Sequence, residues 1–282
     1  SSLGVRSFVA GSSSVLLCRH LGSDAARTSL EDDLARRLSN SGHTVLITPH
    51  LYHLPHGSDA WREIAALPGD LAVLGWISPR AMECLLREYA DVQPTLAVDL
   101  SASDDHSAAV EAALGPADGP AAVRELDLPV SARWYPVLDR SRCTACRHCL
   151  QFCLFGVYEA QEQRVVAVRP DSCKDGCAAC ARVCPHGAII FPLSDEPAIA
   201  GTPGTLMQPD AAARRMYYVR TGRRCPVCGR TVEAGEQPTP GQAACDECGA
   251  AADRPDEAPS AVHEEIDALI SVLDDLTSGG ES

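Results

Sequence analysis

Short apolar runs alternate with amphipathic stretches along the first 114 residues of the chain. The apolar runs lie at positions 15–18, 45–47, 71–75 and 96–98. Between them, apolar residues recur at helical spacing behind Ser29 and behind Ser78-Pro79, which are residue types that favour the start of a helix. This alternation is typical of a parallel sheet with crossover helices. We therefore predict a four-stranded α/β domain, Rossmann-like or flavodoxin-like, over residues 1–114.

The remaining chain divides by composition into five segments. Residues 115–134 contain two Gly-Pro pairs and are predicted to be a linker. Residues 135–192 hold eight cysteines, residues 193–222 are rich in proline and glycine and predict an extended strap, and residues 223–250 hold four more cysteines. Residues 251–282 predict an acidic spacer and an amphipathic helix. That helix either packs on its own protein or docks on a partner.

Composition and charge narrow the class of protein. The chain has 45% hydrophobic and 22% charged residues, which is typical of a globular protein. Its formal net charge is -14, and residues 252–282 carry nine acids against one base. Such a chain repels phosphate backbones, which argues against a nucleic-acid partner and favours a basic protein partner. We see neither an apolar run of membrane-spanning length nor a signal peptide, so we expect a cytoplasmic protein.

Eight cysteines form two runs with a spacing typical of iron–sulfur ligands. The runs are Cys143-x₂-Cys146-x₂-Cys149-x₃-Cys153 and Cys173-x₃-Cys177-x₂-Cys180-x₃-Cys184-Pro185. Three closely spaced thiolates can wrap one face of a cubane cluster while a fourth arrives from a distant element. The clustering favours metal over disulfides in a chain expected to be cytosolic. The runs therefore predict two [4Fe–4S] clusters, with structural zinc or disulfides as the alternatives.

The two runs resemble the bacterial two-cluster ferredoxins over about 50 residues. The resemblance implies an α+β ferredoxin-like domain over residues 135–192 in which the fourth cysteine of each run ligates the other cluster. It assigns one cluster to Cys143, Cys146, Cys149 and Cys184, and the other to Cys153, Cys173, Cys177 and Cys180. We predict that the apolar packing around them comes from Phe152, Phe155, Ile189, Ile190 and Phe191.

The chain departs from the ferredoxin pattern at two positions. One extra residue separates Cys173 from Cys177, and Leu154 stands where a proline usually follows the first run. The longer gap leaves open a [3Fe–4S] or differently tuned cluster. Because all four expected thiolates are present, we predict [4Fe–4S].

Four further cysteines form two pairs, Cys225-x₂-Cys228-Gly and Cys245-x₂-Cys248-Gly. Four thiolates on paired turns make a closed tetrahedral zinc site, and the glycine after each pair lets the backbone turn towards sulfur. The pairs resemble a zinc ribbon. Rubredoxin-like iron and disulfides are the alternatives, but the short interval and the lack of aromatic residues favour zinc. Since such a site has no open position, we predict a structural or docking role.

Other residues give weaker indications. His50, His53 and His56 lie three apart in a predicted loop, and we expect them to be solvated rather than metal ligands. Cys18 and Cys84 are predicted to be buried, inert thiols. The turn at positions 73–80 resembles the N-terminal region of heterodisulfide reductase flavin-type subunits but lacks the cysteine expected before its serine. No nucleotide-binding motif is present.

The leading functional hypothesis is one-electron transfer, either as a carrier or as the electron-wiring subunit of an oxidoreductase. We predict no catalytic residue. Redox partner proteins are expected to dock on the N-terminal domain, the zinc ribbon or the acidic C-terminal helix. The alternatives are a redox-sensing regulator and an enzyme subunit whose α/β domain binds a small molecule or flavin.

Overall fold

A computed structural model describes most of the chain. The described residues are 13–102, 106–115, 117, 122–162, 164–207, 211–225, 227–233, 235, 244–245 and 248–250. The chain divides into two compact units, Ser1–Asp210 and Ala211–Ser282. The predicted acidic spacer and C-terminal helix, residues 251–282, lie outside the described residues. Among the described helices, none is long and apolar enough to cross a membrane.

A five-stranded parallel sheet forms the first part of the first unit. Its strands are β1 (Ser13–Cys18), β2 (Thr44–Thr48), β3 (Asp70–Gly75), β4 (Leu96–Asp99) and β5 (Ala122–Glu125), in the spatial order β4-β3-β1-β2-β5. The order 2-1-3-4 is that of flavodoxin-like sheets, but β5 lies beside β2 instead of beyond β4. The predicted parallel α/β architecture is confirmed, with one strand more than expected. That strand comes from the predicted linker.

Four helices accompany this sheet, namely α1 (Ala25–Asn40), α2 (Ala60–Ala65), α3 (Pro79–Tyr89) and α4 (His106–Leu114). Helix α1 begins earlier than predicted because the Asp24 carboxylate, and not Ser29, accepts hydrogen bonds from the first backbone N–H groups. Ser78 caps α3 and Pro79 opens it, as predicted. Alternate residues of the central strand enter separate apolar clusters, with Leu16 in one and Leu17 in the other. Both faces of the sheet are therefore buried.

Two short antiparallel strand pairs and three short helices follow among the described residues of the same unit. Strand β6 (Val137–Leu138) pairs with β9 (Ile189–Ile190), and β7 (Tyr158–Gln161) pairs with β8 (Arg164–Ala167). Helix α5 (His148–Phe152) starts within the first cysteine run, and α6 (Ala179–Arg182) starts within the second. Helix α7 (Pro197–Ala200) follows β9. Each cysteine run therefore comprises a loop and a short helix, with its last cysteine just after the helix.

The α/β part and the cysteine-rich part share one apolar core. Tyr135, Val137 and Ile190 belong to the same buried cluster as Leu16 and other residues of the parallel sheet. The hydroxyl of Tyr52 lies 2.6 Å from the carbonyl oxygen of Tyr135, and the Tyr135 hydroxyl donates to the Tyr52 carbonyl at 2.8 Å. The segments that flank the cysteine runs are thus packed into the apolar core on one face of the parallel sheet.

The second unit begins with helix α8 (Ala211–Thr221) and continues into the second cysteine-rich region. We predicted an extended strap over residues 193–222, yet both α7 and α8 lie in that range. Proline and glycine are concentrated before Ala211, whereas the residues of α8 are mainly alanine, arginine and other good helix formers. The composition of the whole segment concealed this change.

Candidate metal centres

Four cysteines from both runs line one small cavity, whose empty space is about 320 Å³ including open solvent. They are Cys143, Cys146, Cys149 and Cys184, the set that the ferredoxin resemblance assigns to one cluster. The loop before α5 supplies the first two, α5 itself supplies Cys149, and the turn after α6 supplies Cys184. The rest of the wall includes apolar side chains from β6, β8 and β9. The arrangement gives four sulfur donors around an apolar space.

The electrostatics of this cavity favour a cationic occupant. Burial raises the pKa of Cys149 to about 12, and the neighbouring Cys184 and Cys146 contribute to the rise. Burial also raises the pKa of Cys184, although the Ala188 N–H donates to its sulfur at 3.3 Å and opposes the shift. Four thiolates in such a space repel one another, so they require bound metal to remain deprotonated. The donor set therefore fits an iron–sulfur cluster.

The second predicted set, Cys153, Cys173, Cys177 and Cys180, also consists of electrostatic neighbours. Burial raises the pKa of Cys173 to about 12, and Cys177 and Cys153 add to this effect. Burial raises the pKa of Cys180 well above its ordinary value, and the neighbouring Cys149, Cys173 and Cys153 add to the rise. Since Cys149 belongs to the first set, the two sets adjoin one another.

A buried tyrosine lies at this junction. The Tyr158 hydroxyl donates to the sulfur of Cys180 at 3.1 Å, and the ring is 3% exposed. Burial raises the pKa of Tyr158, and Cys180, Cys149 and Cys153 add to the shift, so the phenol stays protonated and can donate. Hydrogen bonds to ligand sulfur tune the reduction potential of such clusters.

The loop that carries Cys173 and Cys177 is attached to the α/β part by two side chains. The Trp134 indole N–H donates to the Cys177 carbonyl at 2.8 Å, and the Arg133 guanidinium pairs with Asp171 at 2.6 Å. The extra residue in this loop is accommodated by a turn in which Gly176 has a φ of 71°. The backbone N–H of Cys177 donates to the Lys174 carbonyl at 3.0 Å and closes this turn.

The apolar surroundings differ partly from those predicted. Ile189 and Phe191 are buried beside Cys149, Cys180 and Cys184, in agreement with the prediction. Ile190 instead packs into the core beneath the parallel sheet, because successive residues of a strand point to opposite faces.

The aromatic residues near the end of the first run are less buried than the prediction required. Phe155 is 39% exposed, and Leu154 before it is 71% exposed. Phe152 is half-buried. The short turn after Cys153 turns these side chains towards solvent.

The four cysteines of the second unit converge tightly. The sulfur atoms of Cys225, Cys228, Cys245 and Cys248 all lie within 4.8 Å of one another. In each pair the first cysteine carbonyl accepts the N–H of a glycine, Gly229 at 2.8 Å or Gly249 at 2.7 Å. These glycines have φ angles of 69° and 63°, a region that side chains disfavour. The matching turns and the tetrathiolate set fit a closed zinc site.

The histidine loop is buried, contrary to expectation. His50 is 4% exposed and His53 is fully buried, and their rings lie 4.6 Å apart. The backbone N–H of Arg133 donates to Nδ1 of His53 at 3.0 Å, while the Arg133 guanidinium contacts His56. The loop is buried because it packs beneath the segment that enters the cysteine-rich part. Among the described residues, the group whose ligand atoms lie close enough together to hold one metal ion is the set of four cysteines in the second unit, and it does not include these histidines.

The remaining predicted residues have structural positions. Cys18 and Cys84 are buried as predicted, and burial raises the pKa of each thiol to about 12. The turn at Ser78 and Arg80 contacts the cysteine-rich part. Arg80 donates to Asp139 at 2.8 Å and to the carbonyl of Gly187 at 2.6 Å.

Several of these contact residues were missed by the sequence analysis. Arg133, Trp134 and Tyr158 lie outside the cysteine motifs, and Arg80 was noted only as part of a turn. Their proximity in sequence to the runs is a weak signal, because it does not indicate which atoms they contact.

Comparison with known proteins supports a relationship with ferredoxins. One uncharacterized ferredoxin of Methanocaldococcus jannaschii is 47% identical over 60 residues, which cover 21% of this chain and 41% of that relative. A second uncharacterized ferredoxin of the same organism is 39% identical over 54 residues, which cover 18% of this chain and 86% of that relative. No family profile and no solved structure matches. By the match that covers most of the second relative, this chain belongs to the ferredoxin family.

Proposed function

We propose that this protein transfers single electrons through two [4Fe–4S] clusters and that its second unit holds a structural zinc ion. The observation that carries this proposal is the cavity lined by Cys143, Cys146, Cys149 and Cys184. These cysteines come from both runs, as crossed ligation requires. When bound, each cluster supplies a one-electron redox couple.

The polypeptide contributes packing, hydrogen bonds and attachment. Ile189 and Phe191 exclude water from the region between the two cysteine sets. The Ala188 N–H and the Tyr158 hydroxyl donate to ligand sulfurs and stabilise their negative charge. None of these groups transfers a proton or forms a bond, so the proposed role is electron transfer rather than catalysis.

The attachment of the cysteine-rich part to the α/β part favours the role of an electron-wiring subunit over that of a free carrier. Both parts lie in one compact unit and share buried residues. A free carrier needs little more than its cluster module, whereas a fixed second domain provides a permanent partner surface. The proposed partners are therefore redox proteins that recognise this unit or the zinc-binding unit.

Metal and sulfide analysis tests the proposal. Protein purified without oxygen should contain about eight iron, about eight sulfide and about one zinc per chain. Reduction with dithionite should give EPR signals from two interacting clusters. An intact protein with zinc in all cysteine sites and no sulfide would contradict electron transfer.

Paired double variants test the crossed ligand sets. Cys146→Ala with Cys184→Ala removes two ligands from one proposed cluster, so about four iron should remain. Cys146→Ala with Cys153→Ala removes one ligand from each cluster, so both should be weakened and less iron should remain. The reverse order of iron contents would indicate that each run ligates its own cluster.

A second candidate function rests on an open cleft in the α/β part. It lies at the carboxyl ends of β1, β2 and β5, encloses about 810 Å³ including open solvent, and is lined by Arg19, His50 and Leu126 among others. Ligands of α/β proteins bind at this end of the sheet. If the domain binds a flavin, folded protein should purify with flavin absorbance or be stabilised by added flavin mononucleotide. Neither effect would be seen for a purely structural domain.

A further inference from the structure

We infer that a cationic rim around the first cysteine cavity docks an acidic one-electron carrier protein. The rim is defined as two arginines, Arg142 and Arg147, with the imidazoles of His148 and His186 beside them. This inference rests on the proposed electron-transfer function and adds the chemical nature of one partner and the place where it binds. It differs from the sequence-based expectation of a basic partner, because that expectation used the charge of the whole chain.

The rim residues lie in the wall of the cavity or next to it in the chain. Arg147, His148 and His186 line it directly, and Arg142 immediately precedes Cys143. Arg142, Arg147 and His186 are exposed. Among the described residues that line this cavity, none is an aspartate or glutamate. Two exposed arginines therefore lie on the surface next to the cysteines of this cavity.

The neighbouring carboxylate does not cancel this charge. Asp139 lies 3.9 Å from Arg142, but its side chain is 6% exposed and pairs with Arg80 at 2.8 Å. Although burial disfavours its charged form, hydrogen bonds from Ser141 and Arg80 hold the pKa of Asp139 below its ordinary value. Asp139 is thus a buried partner of Arg80, and Arg142 remains at the surface with 45% of its side chain exposed.

The rim opposes the charge of the chain as a whole. The sequence holds 38 acidic residues against 24 lysines and arginines, yet positions 140–158 contain three arginines and no acid. One of these, Arg140, pairs with Glu88 at 2.7 Å, which leaves Arg142 and Arg147 for the rim. Electrostatic forces at contact are local, because physiological salt screens charges beyond about 8 Å. A docking partner therefore meets the rim and not the net charge of the molecule.

The backbone holds Arg147 at the rim in a conformation that side chains disfavour. Arg147 has φ 67° and ψ 12°, the left-handed region, immediately after Cys146 and before α5. Glycine or asparagine adopts this conformation more easily than arginine. Ala145, two residues earlier, has a φ of 56°, so the loop between Cys143 and α5 takes up this conformation twice and places Arg147 beside Cys146.

The surroundings of the second cysteine set lack this bias. Lys174 and Asp175 are adjacent exposed residues of opposite charge, and Arg169 lies 3.6 Å from Glu159. Leu154, beside Cys153, is 71% exposed and apolar. The two ends of the electron path therefore differ in surface chemistry, and the cationic end is the one that selects an acidic partner.

The redox step at this surface is a single electron transfer. One electron leaves the donor's reduced centre and enters the acceptor's oxidised centre, with no bond formed or broken and no proton transferred. The electron can move either to or from the partner, because the rim affects how the partner docks and does not determine which protein is reduced. Complementary charge raises the association rate and is weakened by salt.

A matched pair of acceptors tests the inference. Cytochrome c is basic, and complete succinylation of its lysines makes it acidic while it keeps the same haem. Reduced protein, loaded with its clusters, is mixed with each form in a stopped-flow instrument, and each electron reduces one ferric haem to ferrous haem. We expect Arg142→Glu with Arg147→Glu to slow reduction of the acidic form about tenfold at low ionic strength. Reduction of the basic form should be unchanged or faster.

Controls separate docking from other effects. Two charge reversals on α1, Arg36→Glu with Arg37→Glu, change the total charge equally and should leave the ratio of the two rates near that of the parent protein. If the reversal variant loses iron, Arg147→Asn takes its place, because asparagine suits the left-handed backbone. It should also slow reduction of the acidic form, but by a smaller factor than the double reversal. A change in reduction potential would alter both rates together, whereas docking alters their ratio.

The outcomes are distinguishable. Equal slowing with both acceptors, an unchanged ratio in the rim variants, or the same ratio change in the α1 variants would overturn the inference while leaving the electron-transfer proposal intact. Absence of iron and sulfide from the parent protein would overturn the proposed function itself. A ratio change that disappears at high ionic strength supports the cationic rim.

Discussion

Tyr158 places a hydroxyl donor on one ligand sulfur of the second proposed cluster. The hydroxyl lies 3.1 Å from the sulfur of Cys180 and stabilises negative charge there. Since reduction adds negative charge to a cluster, the hydrogen bond favours the reduced state. We expect Tyr158→Phe to lower the potential of this cluster by about 20–60 mV, equivalent to one hydrogen bond. An EPR-monitored redox titration measures the shift.

The first proposed cluster serves as an internal control for this variant. Its ligand Cys184 accepts from the backbone N–H of Ala188, a donor that Tyr158→Phe leaves in place. Its potential should therefore move less than that of the second cluster. Equal shifts at both clusters would mean that the phenol acts through general packing or solvent exclusion rather than through its hydrogen bond.

The buried histidines make stability depend on pH. Burial lowers the pKa of His53 to about 4 and that of His50 to about 3. In the unfolded chain these histidines become protonated near pH 6.5, whereas in the folded protein they stay neutral to a lower pH. Their contribution to the free energy of unfolding is therefore fully present above pH 6.5 and is lost as the pH falls towards 4. Each histidine should contribute about 1 kcal/mol less at pH 5.5 than at pH 7.5.

His53→Asn provides the corresponding test. The asparagine oxygen can accept the Arg133 N–H that Nδ1 of His53 accepts. Unfolding in denaturant, measured at pH 7.5 and pH 5.5, should show a smaller loss of stability in the variant than in the parent protein. An identical loss in both proteins would show that His53 is not responsible for the acid sensitivity.

At the scale of elements, the start of α3 attaches the cysteine-rich part to the sheet. The Ser78 hydroxyl donates to the carbonyl of Ala200 at 2.8 Å, and a side-chain carbon at Gly201 would lie 3.0 Å from that hydroxyl. Arg80 adds its bonds to Asp139 and Gly187. The turn that resembled a redox element is therefore a structural clamp between two parts of one unit.

Arg80→Met tests this clamp. The change leaves the buried Asp139 without its main cation, and we expect a loss of about 3 kcal/mol in unfolding free energy. Gly187 lies between Cys184 and Ala188, so the variant should also release iron faster in the presence of a chelator. Arg36→Met removes an exposed pair with Asp33 and should cost less than about 0.5 kcal/mol. Similar losses in both variants would contradict the clamp.

The elements also show which features the sequence reveals. Strands β1 to β3 were predictable because their apolar runs are buried in the sheet, and β4 was predictable because its apolar run is half-buried. Strand β5 was assigned to a linker because its residues Ala122–Glu125 are exposed and it lies at a sheet edge. The two cysteine runs followed from their spacing, and their division into two sets followed from the resemblance to two-cluster ferredoxins. Arg133, Trp134 and Tyr158 act through long-range contacts, which local patterns do not encode.

At the scale of the whole molecule, the two units divide the proposed metals between them. The eight cysteines of the two runs lie in the unit that ends at Asp210, and the tetrathiolate lies in the unit that begins at Ala211. A fragment of residues 1–210 should therefore keep about eight iron and lose its zinc. Metal analysis and the EPR spectrum of the fragment check this. A fragment that folds but binds no iron would show that the second unit is needed for cluster assembly.

Trp134 gives this protein a built-in optical reporter. Its indole donates to the Cys177 carbonyl and stacks on Phe191 with ring centroids 5.2 Å apart, so its emission originates beside the second cysteine set. Iron–sulfur clusters absorb broadly in the near ultraviolet and visible. Energy transfer to a cluster bound by these cysteines therefore quenches the fluorescence of the neighbouring indole. Because the chain also contains Trp61 and Trp76, the part of the emission that is lost in Trp134→Phe is the part that reports occupancy of that site in real time, without labelling the protein.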